Sequence, residues 1–205
     1  MAKIEKITRR PSLKLVRGRR VCETRAGRVR VAAAPRDTPP FPVEAFVFEE
    51  DTFLVMSADP APRDPKVPMV KIMSGLIETQ PRTPGAVVLQ GQTPLRILAI
   101  VHDFNQEPSW KPEWVESALH HAFQVSRKLR IHSLATPLLG TVYGSLEKKR
   151  FLEMLVRTLQ GARLDYLSLL WLVVSEGESS SVIKDLKAEM ERQNPDLFSP
   201  ASFPV

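Results

Sequence analysis

The sequence predicts an α/β fold, a sandwich built on a mixed or largely parallel sheet, and three observations carry that reading. Segments with strand periodicity and segments with helical periodicity alternate through the C-terminal two thirds of the chain, the pattern of βα units. Within that alternation, "LRILAIVHDF" has a near-continuous apolar centre, as expected of a strand covered on both faces. The third is composition: 43% hydrophobic and 25% charged residues over 205 positions describe a globular chain able to bury a sizeable core in one domain.

Each element follows from its own residues. Residues 1–18 show little periodicity and read as a basic, flexible arm. "RRVCETRAGRVRVAAA" alternates apolar and polar residues on either side of "RAG", which predicts a β-hairpin from about Arg19 to Ala33. The prolines of "PRDTPPFP" bar regular pairing, and "VEAFVFEED" then reads as a core strand emerging into an acidic loop. Four prolines between Ser57 and Pro68 mark an exposed loop. "MVKIMSGLI" is a short helix candidate, with Val70, Met73 and Ile77 at helical spacing. "GAVVLQG" and "LRILAIVHDF" are strands. In "KPEWVESALHHAFQVSRKL", Pro112 suits a first helical turn, and Val115, Ala118, Leu119, Ala122 and Phe123 form one apolar stripe. "IHSLATPLL" is a buried strand, "LEKKRFLEMLVRTLQ" a helix, "LDYLSLLWLVV" a strand and "SSVIKDLKAEMERQ" a helix. The α/β domain is expected over residues 19–193, with an irregular tail at 194–205.

Composition also narrows the function classes. No run of 18 apolar residues suggests a membrane span, and the basic N-terminus lacks the apolar centre and cleavage site of a secretory leader. The single cysteine, Cys22, excludes an internal disulfide and reads as a small packed residue. These features favour the cytoplasm. The net charge of +6 is unevenly spread: residues 1–36 hold 12 Lys/Arg against 2 Asp/Glu, and the remainder 17 against 21. The basic segment could meet nucleic acid or an acidic partner; equally, it could be a solvated arm and hairpin edge whose charges prevent edge-to-edge pairing.

One stretch points to chemistry. In "ATPLLGTVYGSLE" a buried strand ends in a loop with two glycines, and a helix begins at once. A loop that cradles a phosphate needs inward N–H groups, small residues and a helix N-terminus behind it. Gly140, Thr141, Val142, Tyr143 and Gly144 meet those demands, although two glycines in a strand-to-helix loop also make an ordinary turn.

The surrounding residues resemble the macro domain family, whose strand, loop and helix read approximately "S-[IL]-A-x-P-A-[IL]-[SG]-T-G-x-[YFG]-G-[FY]-P" against "SLATPLLGTVYGSLEKKRFLEMLVRTL" here. Upstream, "VEAFVFEEDTFLVMS" is similar to the family's "VDAIVNAANxxLxGGGG", and Asp37 stands six residues before Val43, the spacing of the aspartate in the family's "GDIT". The resemblance covers roughly residues 28–192. It implies a three-layer α/β/α sandwich with a mixed central sheet that binds ADP-ribose or a related nucleotide, and some members hydrolyse ADP-ribose linkages. Carried over by position, Asp37 would accept the adenine amino group, the main chain from Gly140 to Gly144 would wrap the diphosphate, and Tyr143 would sit by the distal ribose. Asp51 and Phe53 would face the ligand from the opposite loop, and Ser175 falls near the adenine-flanking position. A Gly144→Glu side chain would fill the phosphate site.

The chain departs from the family where that opposite loop lies. "FEED", Phe48 to Asp51, replaces "NAAN", so Asp51 stands in place of the asparagine that meets the distal ribose in hydrolytic members. "VMSADPAP" replaces the glycine run, and Glu49, Glu50, Asp51 and Asp59 add negative charge that opposes a dianionic diphosphate. Thr141 replaces the inner glycine, and Ser145-Leu146 the "FP" ending. The resulting expectation is nucleotide binding without hydrolase activity, with no catalytic residue, no resident cofactor and no metal site. The alternative is a degenerate macro-like fold acting as a protein- or nucleic-acid-interaction module through residues 1–36.

Other constellations carry less. His102 and Asp103 are adjacent in a strand and point to opposite faces, so His102 reads as a satisfied histidine. His120 and His121 have no Cys, Asp or Glu at i+3 or i+4 to complete a metal site. Glu49, Glu50 and Asp51 could bind a cation with Asp59 or Asp64, but three consecutive carboxylates read first as a solvated loop.

Overall fold

The chain enters its sheet through the hairpin that the alternation predicts. In the computed structural model, which describes residues 21–56 and 80–193, β1 (Cys22–Ala26) pairs antiparallel with β2 (Val29–Ala34). Their two-residue loop has Gly27 at φ 58°, the left-handed backbone that a glycine in the first central position of a tight hairpin provides. Cys22 is half-buried against the core. The loop expected at 57–68, the helix candidate that follows it, the N-terminal arm and the C-terminal tail lie outside the described residues.

Five more strands complete a seven-stranded sheet: β3 (Ala45–Asp51), β4 (Val87–Gln90), β5 (Leu95–His102), β6 (Ser133–Pro137) and β7 (Leu169–Val173). The order is β1-β2-β7-β6-β3-β5-β4. The five inner strands run parallel to one another, and the two edge strands are antiparallel to their neighbours. The sheet is therefore mixed, as expected. Leu98 to His102 are buried, which fits the apolar run of a strand covered on both faces.

Three helices, α1 (Pro112–Lys128), α2 (Lys148–Gly161) and α3 (Ser179–Gln193), pack on one face of the sheet. The stripe Val115, Ala118, Leu119, Ala122 and Phe123 is buried as the spacing requires, and it meets Val47, Ile97, Phe151, Leu170 and Ile183 in the main core. Each large apolar side chain removed from water here contributes about 1.5–3 kcal/mol, so this face supplies most of the fold's driving force. The opposite face carries a second cluster of Ala32, Phe41, Ala135 and Trp171, with Phe46 and Val173 against it. Among the described residues no helix is long and apolar enough to cross a membrane.

Topology places the site. The parallel strands bring their carboxyl ends to one edge of the sheet. From β3 the chain goes on to β5 on one side, whereas from β6 it goes on to β7 on the other. The connections diverge between β3 and β6, where open α/β sheets form their ligand crevice. Those two strands pair only at Ala45 with Leu134 and Phe46 with Ala135. Beyond that point they splay, and the gap becomes a cavity.

Candidate functional site

At the carboxyl ends of β3, β6 and β7 lies a cavity of about 430 Å³, within the range of small-molecule sites. Its lining includes Arg36, Phe46, Phe48, Glu49, Arg96, Pro137, Val142, Tyr143 and Val173. Alternation along β3 turns Phe46 and Phe48 to the same face, where their rings lie 4.9 Å apart. The Arg36 guanidinium stands 5.3 Å from the Phe46 centroid and 5.5 Å from that of Phe48, and the Arg96 guanidinium 4.7 Å from Phe48. Cation–π stacking of this kind holds an arginine in place while leaving its N–H edge free.

Beneath the cavity sits a buried polar pair. Glu49 Oε1 accepts from His102 Nε2 at 2.5 Å, and Glu49 Oε2 accepts the Gly140 N–H at 3.1 Å. Both side chains are almost fully enclosed. The pair exists because the register of β5 against β3 slips between Glu50 and Asp51, so that Asp51 lies opposite His102 rather than Val101. The bulge brings His102 to the face that Glu49 and Asp51 share. His102 is thus satisfied at Nε2 by a neighbouring strand and not by Asp103, whose carboxylate accepts from Asn105 N and Gln106 Nε2. Its Nδ1 is buried with no hydrogen-bond partner.

The acidic run is not the solvated loop expected from composition. Glu49, Glu50 and Asp51 belong to β3 and are buried, Glu50 and Asp51 completely. Burial is sustained because main-chain donors replace water around their oxygens. Asp51 Oδ1 accepts Phe53 N at 2.7 Å, and its Oδ2 accepts Val55 N and Met56 N at 2.8 and 2.9 Å. Glu50 Oε1 accepts Asp51 N and Met56 N. Two carboxylates therefore fold the turn that leaves β3. No group of three or more His, Cys, Asp or Glu side chains among the described residues is placed to hold a metal ion, and Asp59 and Asp64 fall outside them.

The loop between β6 and α2 divides into a fixed base and an open tip. At its base Gly140 has φ 77°, and an added Cβ would come within 3.1 Å of Val115. Its N–H is held by Glu49, and the Thr141 N–H and hydroxyl both donate to the Leu138 carbonyl. At the tip Val142 and Tyr143 are 68% and 69% exposed, and among the described residues no hydrogen bond engages the N–H groups of residues 142–144. Gly144 is fixed by packing: a Cβ there would lie 2.5 Å from the Gly140 carbonyl oxygen and 2.9 Å from the Trp110 ring. A Gly144→Glu side chain would thus collide with the loop's own backbone, and a loss of binding in that variant would not report on a phosphate.

The remaining expected site residues spread around this centre. Asp37 is exposed in the turn after β2, beside Arg36, where Thr38 N donates to the Pro35 carbonyl. Phe53 donates its N–H to Asp51 in the turn after β3, and Ser175 is exposed after β7. Sequence reasoning missed Arg36, Arg96, Phe46 and Phe48. The available signal was the "FVF" alternation in β3 and the one charge, Arg96, inside the otherwise apolar "LRILAIV".

Neither a protein-family model nor a curated protein matches the sequence. Solved structures do. The Oceanobacillus iheyensis macrodomain with ADP aligns at a TM-score of 0.61 and 12% identity, over 83% of this chain and 96% of that one. The macrodomain of Mycobacterium tuberculosis DarG aligns at 0.50 and 18% identity, over 71% and 98%. The macro domain of ganglioside induced differentiation associated protein 2 gives 0.52 and 12%, over 84% and 86%. At such identities the likeness is one of architecture, and it agrees with the strand order, the β6–α2 loop and the crevice between β3 and β6: the chain has the macrodomain fold.

Proposed function

We propose that this protein is a nucleotide-binding module that takes ADP-ribose or a related nucleotide in the cavity at the carboxyl ends of β3, β6 and β7, without hydrolysing it. The observation that carries the reading is the cavity's composition. Two guanidinium groups, an exposed tyrosine and a loop tip with open N–H groups converge there, a set suited to a phosphate attached to a planar base or ribose. Of the acidic residues expected to oppose a diphosphate, Glu49, Glu50 and Asp51 are tied to main-chain donors or to His102, and Asp59 lies outside the described residues. The Oceanobacillus iheyensis macrodomain has been solved with ADP and, as a variant, with ADPR, which supports the same ligand class here. Of the expected site residues, Val142 and Tyr143 line the cavity and contact the ligand in this reading, while Asp37, Asp51, Phe53, Gly140, Thr141 and Gly144 lie outside its lining, Asp51 and Gly140 shaping the loops around it.

The state of Asp51 supports the reading of binding without turnover. A residue that orients a ribose must present a free polar atom, and both oxygens of Asp51 are buried and occupied by the turn it holds. Calorimetric titration with ADP-ribose, with AMP and NAD alongside, tests the binding. Saturable heat in the micromolar range is expected, and no heat at millimolar ligand would sink the reading. An ADP-ribosylated protein substrate should stay intact on incubation with the purified chain; release above the protein-free background would overturn the second half.

A further inference from the structure

The two loops that flank the cavity spend part of their main-chain donor capacity internally. The Gly140 N–H goes to Glu49 and the Thr141 N–H to Leu138. The N–H groups of Phe53, Val55 and Met56 go to Asp51, and Met56 N also reaches Glu50. What the cavity offers instead is side-chain charge. We infer that Arg36 and Arg96, stacked on the Phe46–Phe48 pair, form the seat for the ligand's phosphate or diphosphate, with the β6–α2 loop tip in a secondary role. The inference rests on the nucleotide-binding reading and names the residues that give it anion affinity.

Three features carry it. First, neither arginine takes part in a salt bridge among the described residues, so both cavity-lining guanidiniums keep their charge uncompensated by a carboxylate there. Arg96 Nε is buried and has no hydrogen-bond partner, a costly state that an acceptor oxygen would relieve. Second, both guanidiniums lie within 5.5 Å of the Phe48 ring centroid, so the two positive charges are pinned to one aromatic platform and need little ordering on binding. A planar guanidinium donates to phosphate oxygens in pairs, which an ammonium or an isolated N–H cannot do. Third, among the described residues the one carboxylate lining the cavity, Glu49, has both oxygens occupied by His102 and Gly140. Positive charge therefore prevails at the lining.

The seat comes from different parts of the chain. Arg36 follows β2, and Arg96 opens β5 opposite Phe46, so the register of the sheet sets their meeting. Arg36 is exposed and can be changed without touching the core.

The test uses the full chain and three probes: ADP, inorganic pyrophosphate and adenosine, the last lacking the anion. Arg36→Gln and Arg96→Gln should each weaken ADP by about tenfold, the loss of a charge-assisted pair, with adenosine affinity unchanged. Arg96→Lys keeps the charge but not the fork and should fall between. Thermal melting checks that each variant is folded, and Arg96→Lys together with Arg36→Gln keeps the test decisive if Arg96→Gln is not. ADP affinity within twofold of wild type in the folded variants would overturn the inference. An equal loss for adenosine would also overturn it, because the arginines would then shape the pocket rather than hold the anion. If wild-type protein binds neither nucleotide nor nucleoside, pyrophosphate separates the two ideas: binding that vanishes in Arg36→Gln upholds the seat and sinks the nucleotide reading, and no binding overturns both.

Discussion

The two loops that flank the cavity leave parallel strands at the same edge of the sheet, yet they treat their main-chain donors in opposite ways. The turn after β3 is closed on itself: the carboxylates of Asp51 and Glu50 take the N–H groups of Phe53, Val55 and Met56. The loop after β6 is hydrogen-bonded at its base, through Gly140 and Thr141, and packed at Gly144, and its exposed tip, Val142 and Tyr143, has main-chain N–H groups that no hydrogen bond engages among the described residues. One side of the crevice carries its own anion, and the other keeps its tip donors unengaged among the described residues. The most direct way to break the contrast is Asp51→Ala. It removes three buried acceptor contacts and leaves the N–H groups of Phe53 and Val55 unpaired, that of Met56 keeping Glu50, so urea unfolding should show a loss of about 3 kcal/mol. A loss under about 1 kcal/mol would mean that water enters and takes the carboxylate's place, and that the turn is not closed by Asp51.

Glu49 joins the two loops, since its carboxylate reaches from β3 to the base of the β6–α2 loop and to His102. Glu49→Gln keeps the shape but replaces one acceptor oxygen with an N–H₂ group, which cannot accept from His102 and Gly140 at once. A destabilisation of about 1–2 kcal/mol is expected by chemical denaturation. The same change removes the negative charge that lines the cavity, so ADP affinity should rise by roughly threefold as the repulsion is lifted. Weaker ADP binding in a folded Glu49→Gln protein would instead show that the carboxylate serves the ligand by positioning Gly140, and the loop base would rank with its tip.

What could be read from the sequence follows the range of the interactions involved. Strands and helices rest on periodicities of two and 3.6 residues, and the stripe from Val115 to Phe123 or the apolar run of β5 shows these within one segment. The β6–α2 loop was legible for the same reason, because its glycines and the following helix are contiguous. The acidic run was misread because its burial depends on partners that local composition does not reveal. Asp51 and Glu50 are satisfied by the backbone of the next turn, and Glu49 by residues 53 and 91 positions away. The meeting of Glu49 with His102 further requires a one-residue slip in the β3–β5 register, and nothing in either strand's pattern announces it. Arg36 and Arg96 were missed likewise: each reads alone as a surface charge, and only the pairing of Arg96 with Phe46 gathers them on one platform.

The open loop has one more tether, and it yields the smallest effect. Immediately after the loop, Lys148 at the start of α2 forms an ion pair with Glu178, in the turn before α3. The hydrogen bond from Lys148 holds the Glu178 carboxyl below its ordinary range, with partial burial opposing and the lysine's charge assisting. Because the folded value lies below the unfolded one, the pair's contribution is complete above the unfolded carboxyl range near pH 4.3 and is lost as pH falls through the lowered folded value. Both side chains are substantially exposed, so the gain is at most several tenths of a kcal/mol and fades in about 1 M salt. Wild type and Glu178→Gln should therefore differ slightly in urea midpoint near pH 7 and coincide at about pH 3. If the difference persists in acid or in high salt, the loop's far end is held by packing rather than by charge, and the asymmetry between the two loops rests on the buried carboxylates alone.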